Sequence, residues 1–302
     1  MPVGPDDLKA IGMRMTKPLF PTRRAFLKAT AGGLLVGAAG LGTYTWFIEP
    51  YWYEVVRRDL PIRRLPEALD GKTLVQISDL HVGPEVSDAY LRGAFQAVER
   101  IDPDILVVTG DFMTCWADEE LDHVGRVLED LRPGRLATLG ILGNHDFARN
   151  YGNTRVADQL TARLTDLGFV MLRNRSHDAA GLTVSGVDDL WGPTCHPGAV
   201  TPFLDHEKAN LFLCHNPDAA DGDIWEGYQG WILCGHTHGG QCKLPFLPPP
   251  VVPVTNRRYI AGEVDLYDGR KLYINRGLGH LRHIRFNVPP EITVFTLRRE
   301  DV

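Results

Sequence analysis

The chain reads as an α/β protein, a layered sandwich with mixed sheets. Five short runs rich in Val, Ile and Leu, at residues 74–77, 105–108, 139–142, 211–213 and 231–233, each end in a group of Gly, Asp, Asn or His. Apolar runs of that length read as buried strands. Amphipathic stretches at 88–101, 119–131 and 156–167 separate the early runs, and strand–helix alternation implies a partly parallel sheet. Nearer the C-terminus the pattern changes. Residues 263–267, 271–275 and 292–297 read as strands around an Asp268-Gly269 turn, which predicts a second, more antiparallel sheet.

Residues 1–48 read as an address rather than as part of the fold. Thr22-Arg23-Arg24-Ala25-Phe26-Leu27-Lys28 precedes about twenty uncharged residues, 29–48, rich in Gly and Ala. That is a charged n-region and a mildly apolar h-region. The segment resembles the twin-arginine export signal of bacteria, which implies the twin-arginine translocase as a partner and export in the folded state. Retained, the run is long enough to anchor the chain in a membrane, and Tyr44, Trp46, Phe47, Tyr51, Trp52 and Tyr53 suit a membrane–water interface. Cleaved, it leaves a periplasmic or otherwise extracytoplasmic protein. Residues 49–66, with their prolines and Arg63-Arg64, read as a linker, and 67–302 as one catalytic domain with a substantial core. The first 66 residues carry ten Lys/Arg against five Asp/Glu, a net of +5, whereas the remainder carries 22 against 33, a net of −11. An acidic domain argues against a general nucleic-acid binder.

The groups that end the five runs carry the chemistry. They are Asp79-Leu80-His81, Gly110-Asp111, Gly143-Asn144-His145-Asp146, His215 and Gly235-His236-Thr237-His238-Gly239. Ligands of open α/β sheets bind at the carboxyl ends of the strands, so these groups should converge on one crevice. Asp, His and Asn with no Cys favour two divalent ions such as Mn, Zn or Fe over a thiolate site. Two ions about 3.5–4 Å apart form a clamp for a water and a phosphoryl oxygen. Asp111, on a central strand, is the natural bridge; one ion takes Asp79, His81 and His238, the other Asn144, His215 and His236.

In their order, these five blocks resemble the calcineurin-like metallophosphoesterase superfamily, over residues 73–240. The resemblance implies the four-layer αββα sandwich and the ligand roles just given. It also implies that His145 is not a ligand. It would contact the phosphoryl oxygen or protonate the leaving group, oriented by Asp146, and an imidazole suits general acid work near neutral pH. His123, His177, His196 and His206 lack such a context and read as surface residues.

After the last block, residues 244–253 are too rich in proline for a helix or central strand. This apolar loop reads as a lid, as a lipid-facing wall, or as a rigid loop without substrate contact. Lys243, Arg257, Arg258 and Arg276 follow closely and could form a cationic rim for phosphate. Five cysteines suggest no disulfide framework, although a Cys195–Cys242 bridge is one option. The Gly239-Gly240-Gln241 that follows, the loop and Asn275–Gly279 narrow the resemblance to the exported or membrane-associated phosphodiesterase branch.

The favoured function is dinuclear-metal hydrolysis of a phosphodiester, a phospholipid or wall polymer of the cell envelope, by metal-hydroxide attack on phosphorus. The alternatives are a phosphomonoesterase, a nucleotide-sugar pyrophosphatase of the lipid A precursor type, and a non-catalytic envelope protein that binds metal or anionic polymer.

Overall fold

The computed structural model describes residues 22–114 and 119–300; most of the charged n-region and Cys115 lie outside them. The chain divides into two units, Met1–Thr43 and Tyr44–Val302. The first contributes one described helix, α1 (Arg23–Thr43), with no buried residue. By length and composition, the stretch Arg23–Tyr51 is apolar enough to cross a membrane.

In the second unit two six-stranded sheets lie face to face. The first contains β1 (Glu54–Arg63), β2 (Thr73–Ile77), β3 (Ile105–Thr109), β4 (Ala137–Ile141), β5 (Val170–Met171) and β12 (Glu291–Glu300). Their spatial order is β1-β12-β2-β3-β4-β5, with β2 to β5 parallel and β12 antiparallel to β2. The second contains β6 (Arg175–Ala179), β7 (Leu182–Gly186), β8 (Ala209–Leu213), β9 (Gly230–Cys234), β10 (Gly262–Asp265) and β11 (Arg270–Ile274). It runs β10-β11-β9-β8-β7-β6, with antiparallel pairs only at its two edges.

Leu60, Leu74, Ile105, Leu139, Leu211, Leu233 and Phe295 fill the space between the sheets. Helices α2 (Asp88–Ile101), α3 (Glu119–Leu128) and α4 (Thr154–Asp166) cover the outer face of the first sheet. In α2 the buried Leu91, Ala94, Phe95 and Val98 recur at helical spacing on one side, the amphipathic pattern that fixes the face presented to the core. On the other side of the second sheet, Phe212, Trp225, Tyr228, Ile232 and Tyr259 form a third core. There the described outer layer consists of short 3₁₀ turns such as Pro217–Asp221, so the expected sandwich is present with a reduced fourth layer.

Two expectations are corrected. Residues 292–297 belong to β12 of the first sheet, so the second sheet, parallel inside its two edge pairs, is not the more antiparallel one. The segment before residue 67 is not a linker throughout. Residues 54–63, read above as linker, form β1 and pair with β12 along their whole length. As an edge strand β1 tolerates Pro61, and most of its residues face solvent. Hence it lacks the apolar run that marks β2 or β3. The edge strand β6 was likewise masked by its polar residues, and all four described cysteines, Cys195 and Cys242 among them, are free thiols.

Candidate metal centre

The carboxyl ends of β2, β3, β4, β8 and β9 meet at one end of the sandwich. Gln76, wholly buried between the sheets, locks them together there by donating to Thr109 Oγ1 (3.0 Å) and to the Cys234 carbonyl (2.9 Å). The chain leaves these strands abruptly. Asp79, His81, Asp111, His236 and His238 have φ between +48° and +71°, a left-handed conformation that Asp and His adopt more readily than most residues but still at a cost. Gly110 has φ +91°, and a Cβ there would lie 2.6 Å from Gly143 N and 2.7 Å from His215 Nδ1. At Gly235 a Cβ would run into the side chains of Ser78 and Asp79. Both glycines are therefore required by close approach.

The side chains so placed form two buried groups, Asp79 with His81 and His238, and Asp111 with His215 and His236; within each, the candidate ligand atoms lie within 4.8 Å of one another. In the first, His238 Nε2 is 3.3 Å from Asp79 Oδ1 and 3.1 Å from His81 Nε2. In the second, His215 Nε2 is 3.2 Å from Asp111 Oδ2, and His236 Nδ1 faces Asn144 Oδ1 at 2.9 Å. The same Asp111 Oδ2 lies 3.5 Å from His81 Nε2, so this oxygen stands between the groups.

Divalent cations fit this donor set. His215 Nε2 is buried without a hydrogen-bond partner, whereas buried polar atoms in folded proteins nearly always have one. Two carboxylates and four imidazoles are buried together. Burial pushes the Asp79 carboxyl up to about 7, with the Asp111 charge adding to the effect. Burial likewise pushes His81 and His236 down to about 3. Neutral imidazoles with free lone pairs are the form that binds metal. His215 is the exception, since Asp111 and Asp79 outweigh burial and hold it well above its usual range. A cation there would displace its proton and compensate the crowded carboxylates. Burial alone would raise Asp111, but His215, His145 and His81 hold it well below the usual carboxylate range. Cys214 and Cys234 are buried beside the site, and burial drives both thiols up, away from the thiolate form.

Three of the four ligand imidazoles hold their outward-facing nitrogen on a fixed partner, none of which sequence reading found, whereas His238 Nδ1 is buried without one. His81 Nδ1 meets Thr114 Oγ1 (3.1 Å), His215 Nδ1 donates to the Thr109 carbonyl (2.6 Å), and His236 Nε2 donates to the Pro253 carbonyl (2.9 Å). Such contacts select tautomer and ring orientation. Two of them are backbone carbonyls, which leave no mark in a sequence. The Pro253 contact also ties the proline-rich loop directly to the centre.

His145 stands half-buried at the mouth, its ring against those of His81 and Tyr151. Its backbone N–H donates to Asp111 Oδ1 (2.9 Å). Asp146 does not reach the imidazole: its oxygens accept the N–H groups of Gly143 (2.9 Å) and Met113 (3.3 Å). It braces the loop that carries His145. Trp191 and Tyr151, neither singled out in the sequence, continue the wall, with Trp191 edge-on to His236 at 4.6 Å between ring centroids.

Two cations of the expected rim have protein partners in the structure. Arg276 pairs with Glu291 (2.6 Å) and Glu54 (2.9 Å), bracing β1 and β12. Arg258 donates to the Asp265 carbonyl and lies over Tyr267, on the β10–β11 hairpin. Arg257 donates to the Pro249 carbonyl (2.8 Å), so it braces the proline-rich loop, and Lys243 sits half-buried at that loop's base. His280 is buried against the Glu85 carbonyl (2.9 Å), apart from the ligand groups.

The calcineurin-like phosphoesterase family model matches residues 72–240, the span that contains every group of the centre. The chain is 32% identical over 291 residues to the uncharacterized metallophosphoesterase YkuE of Bacillus subtilis, covering 92% of this chain and 98% of that protein. It is 30% identical over 285 residues to the phosphodiesterase YaeI of Escherichia coli, covering 91% and 99%. Similarity extends to the UDP-2,3-diacylglucosamine pyrophosphatase LpxG of Chlamydia muridarum, at 26% over 323 residues, 89% and 97% of the two chains. On the family match and the two metal-ligand groups together, this chain belongs to the calcineurin-like phosphoesterase family and is a metal-dependent phosphoric ester hydrolase.

Proposed function

We propose that the chain hydrolyses a phosphodiester of the cell envelope, a phospholipid headgroup or wall polymer. Asp79, His81 and His238 would hold one divalent ion, Asn144, His215 and His236 the other, and Asp111 both. The observation that carries this reading is Asp111 Oδ2 lying within 3.5 Å of imidazole nitrogens from both groups. Bound there, the ions supply Lewis acidity toward a nucleophilic water and the phosphoryl oxygens. The protein supplies order and a proton. The Asp111 contact to the His145 N–H and the Asp146 contacts to Gly143 and Met113 fix the loop that presents the His145 imidazole. From the mouth, that imidazole protonates the departing alkoxide oxygen. Asn144 turns its amide oxygen inward and its N–H₂ is then directed to the phosphoryl group. The apolar helix and Arg23-Arg24 at its start support export by the twin-arginine route with retention at the membrane.

The likeness to a nucleotide-sugar pyrophosphatase makes a diphosphate the competing substrate. The test is turnover of bis-p-nitrophenyl phosphate, p-nitrophenyl phosphate and a nucleotide-sugar diphosphate by the chain loaded with Mn or Zn. Diester turnover abolished by Asp111→Asn supports the reading. Preference for the monoester or the diphosphate replaces it, and no turnover despite bound metal favours a binding protein.

A further inference from the structure

The proline-rich loop has a surface that the metal chemistry does not use. Phe246 is fully exposed, and Val251, Leu244 and Leu247 expose 73%, 59% and 57% of their surface. A soluble domain seldom presents large apolar side chains in such a run, and clusters of this kind mark interaction sites.

The backbone ties this loop to a second exposed apolar segment. Lys243 N–H donates to the Phe286 carbonyl and Phe286 N–H to the Gln241 carbonyl, while Arg285 N–H donates to the Thr45 carbonyl. Trp46 stacks on His283 with the rings 7° from parallel. Trp46 and Phe47 remain 47% and 67% exposed. Residues 44–48 are also where the chain enters this unit directly after the apolar helix α1. The part of the domain that follows a membrane-compatible helix is thus hydrogen-bonded, through one intervening segment, to the base of the loop. Arg282, exposed, and Lys243 flank the two, and cations beside an apolar patch suit an anionic lipid surface.

We propose that residues 244–251, with Trp46 and Phe47, are a bilayer-docking surface that seats the metal centre on the lipid headgroup layer. This deepens the functional reading above, on which it rests for the nature of the substrate. Aromatic and aliphatic side chains enter the acyl boundary while Lys243 and Arg282 stay among the headgroups, as interfacial segments do. The loop ends at Pro253, whose carbonyl accepts from His236. The segment lying on the lipid is therefore two residues from the one that orients a side chain of the centre.

The test uses the full chain in nanodiscs of phosphatidylglycerol and phosphatidylcholine, with Phe246→Trp compared against the parent. The added tryptophan should emit in the blue and lose at least half its intensity when the acyl chains are brominated. Emission at water-exposed wavelengths, unaffected by bromine, overturns the proposal. Blue emission without bromine quenching also overturns it, and identifies the patch as a contact with a second copy of the chain. Retained turnover of a soluble diester checks the fold of the variant. Because quenching needs no catalysis, loss of the phosphodiesterase reading would leave this result standing on its own.

Discussion

At the starting ends of β8, β9 and β11 the surface opens into a cleft of about 670 Å³, lined by residues including Arg63, Arg64, Glu207, Lys271 and Glu300. Its charges answer one another: Arg64 meets Glu207 at 3.0 Å, Lys271 meets Glu263 at 3.2 Å and Arg63 approaches Glu300 at 3.9 Å. At the finishing ends of the same sheets the answer is incomplete, although His215 Nε2 and His238 Nε2 stand 3.2 Å and 3.3 Å from Asp111 and Asp79. Two buried carboxylates stand together, the Nε2 atoms of two imidazoles face each other, and His215 Nε2 has no hydrogen-bond partner. The cleft is electrostatically complete; the other end would be completed by cations. Unanswered buried charge distinguishes the end that holds the metal-ligand groups.

The contrast can be broken by substitution. His145→Ala should lower turnover by about 10²–10⁴-fold, the usual worth of a positioned acid or base, with metal content unchanged by elemental analysis. Parallel loss of metal would instead make His145 a ligand. Arg276→Ala should lower stability by about 3 kcal/mol, because it leaves the buried Glu291 carboxylate unpaired, and leave KM unchanged. A raised KM at unaltered Tm would return Arg276 to the substrate rim. Thr114→Val removes the partner of His81 Nδ1 and should weaken metal binding or activity by about 10–100-fold, read by metal titration. Arg64→Ala, at the opposite cleft, breaks an exposed pair worth under about 1 kcal/mol and an exposed hydrogen bond to the His206 carbonyl, and kcat/KM should not move. A large activity loss there would mean that the cleft takes part in the reaction.

Much of the reactive end was legible in the sequence, because its chemistry lies in side-chain types that must follow buried strands. Asp79, His81, Asp111, Asn144, His215, His236 and His238 were named from that order alone, and the structure brings them together. What escaped was carried by the backbone or by distant partners. The Thr109 and Pro253 carbonyls have no residue-type signature, and the commitment of Arg276 to Glu54 spans 222 positions. Strand β1 was hidden because its solvent-facing residues and Pro61 lack an apolar period. The exposure of Phe246 could not be told from burial until the loop was seen to leave the core.

The most direct measurement is anomalous scattering from crystals of the chain grown with Mn. Two peaks per chain are expected, one touching Asp79, His81 and His238, the other Asn144, His215 and His236, with Asp111 on both. A single peak at saturating Mn, or two peaks that leave Asp111 out, would contradict it.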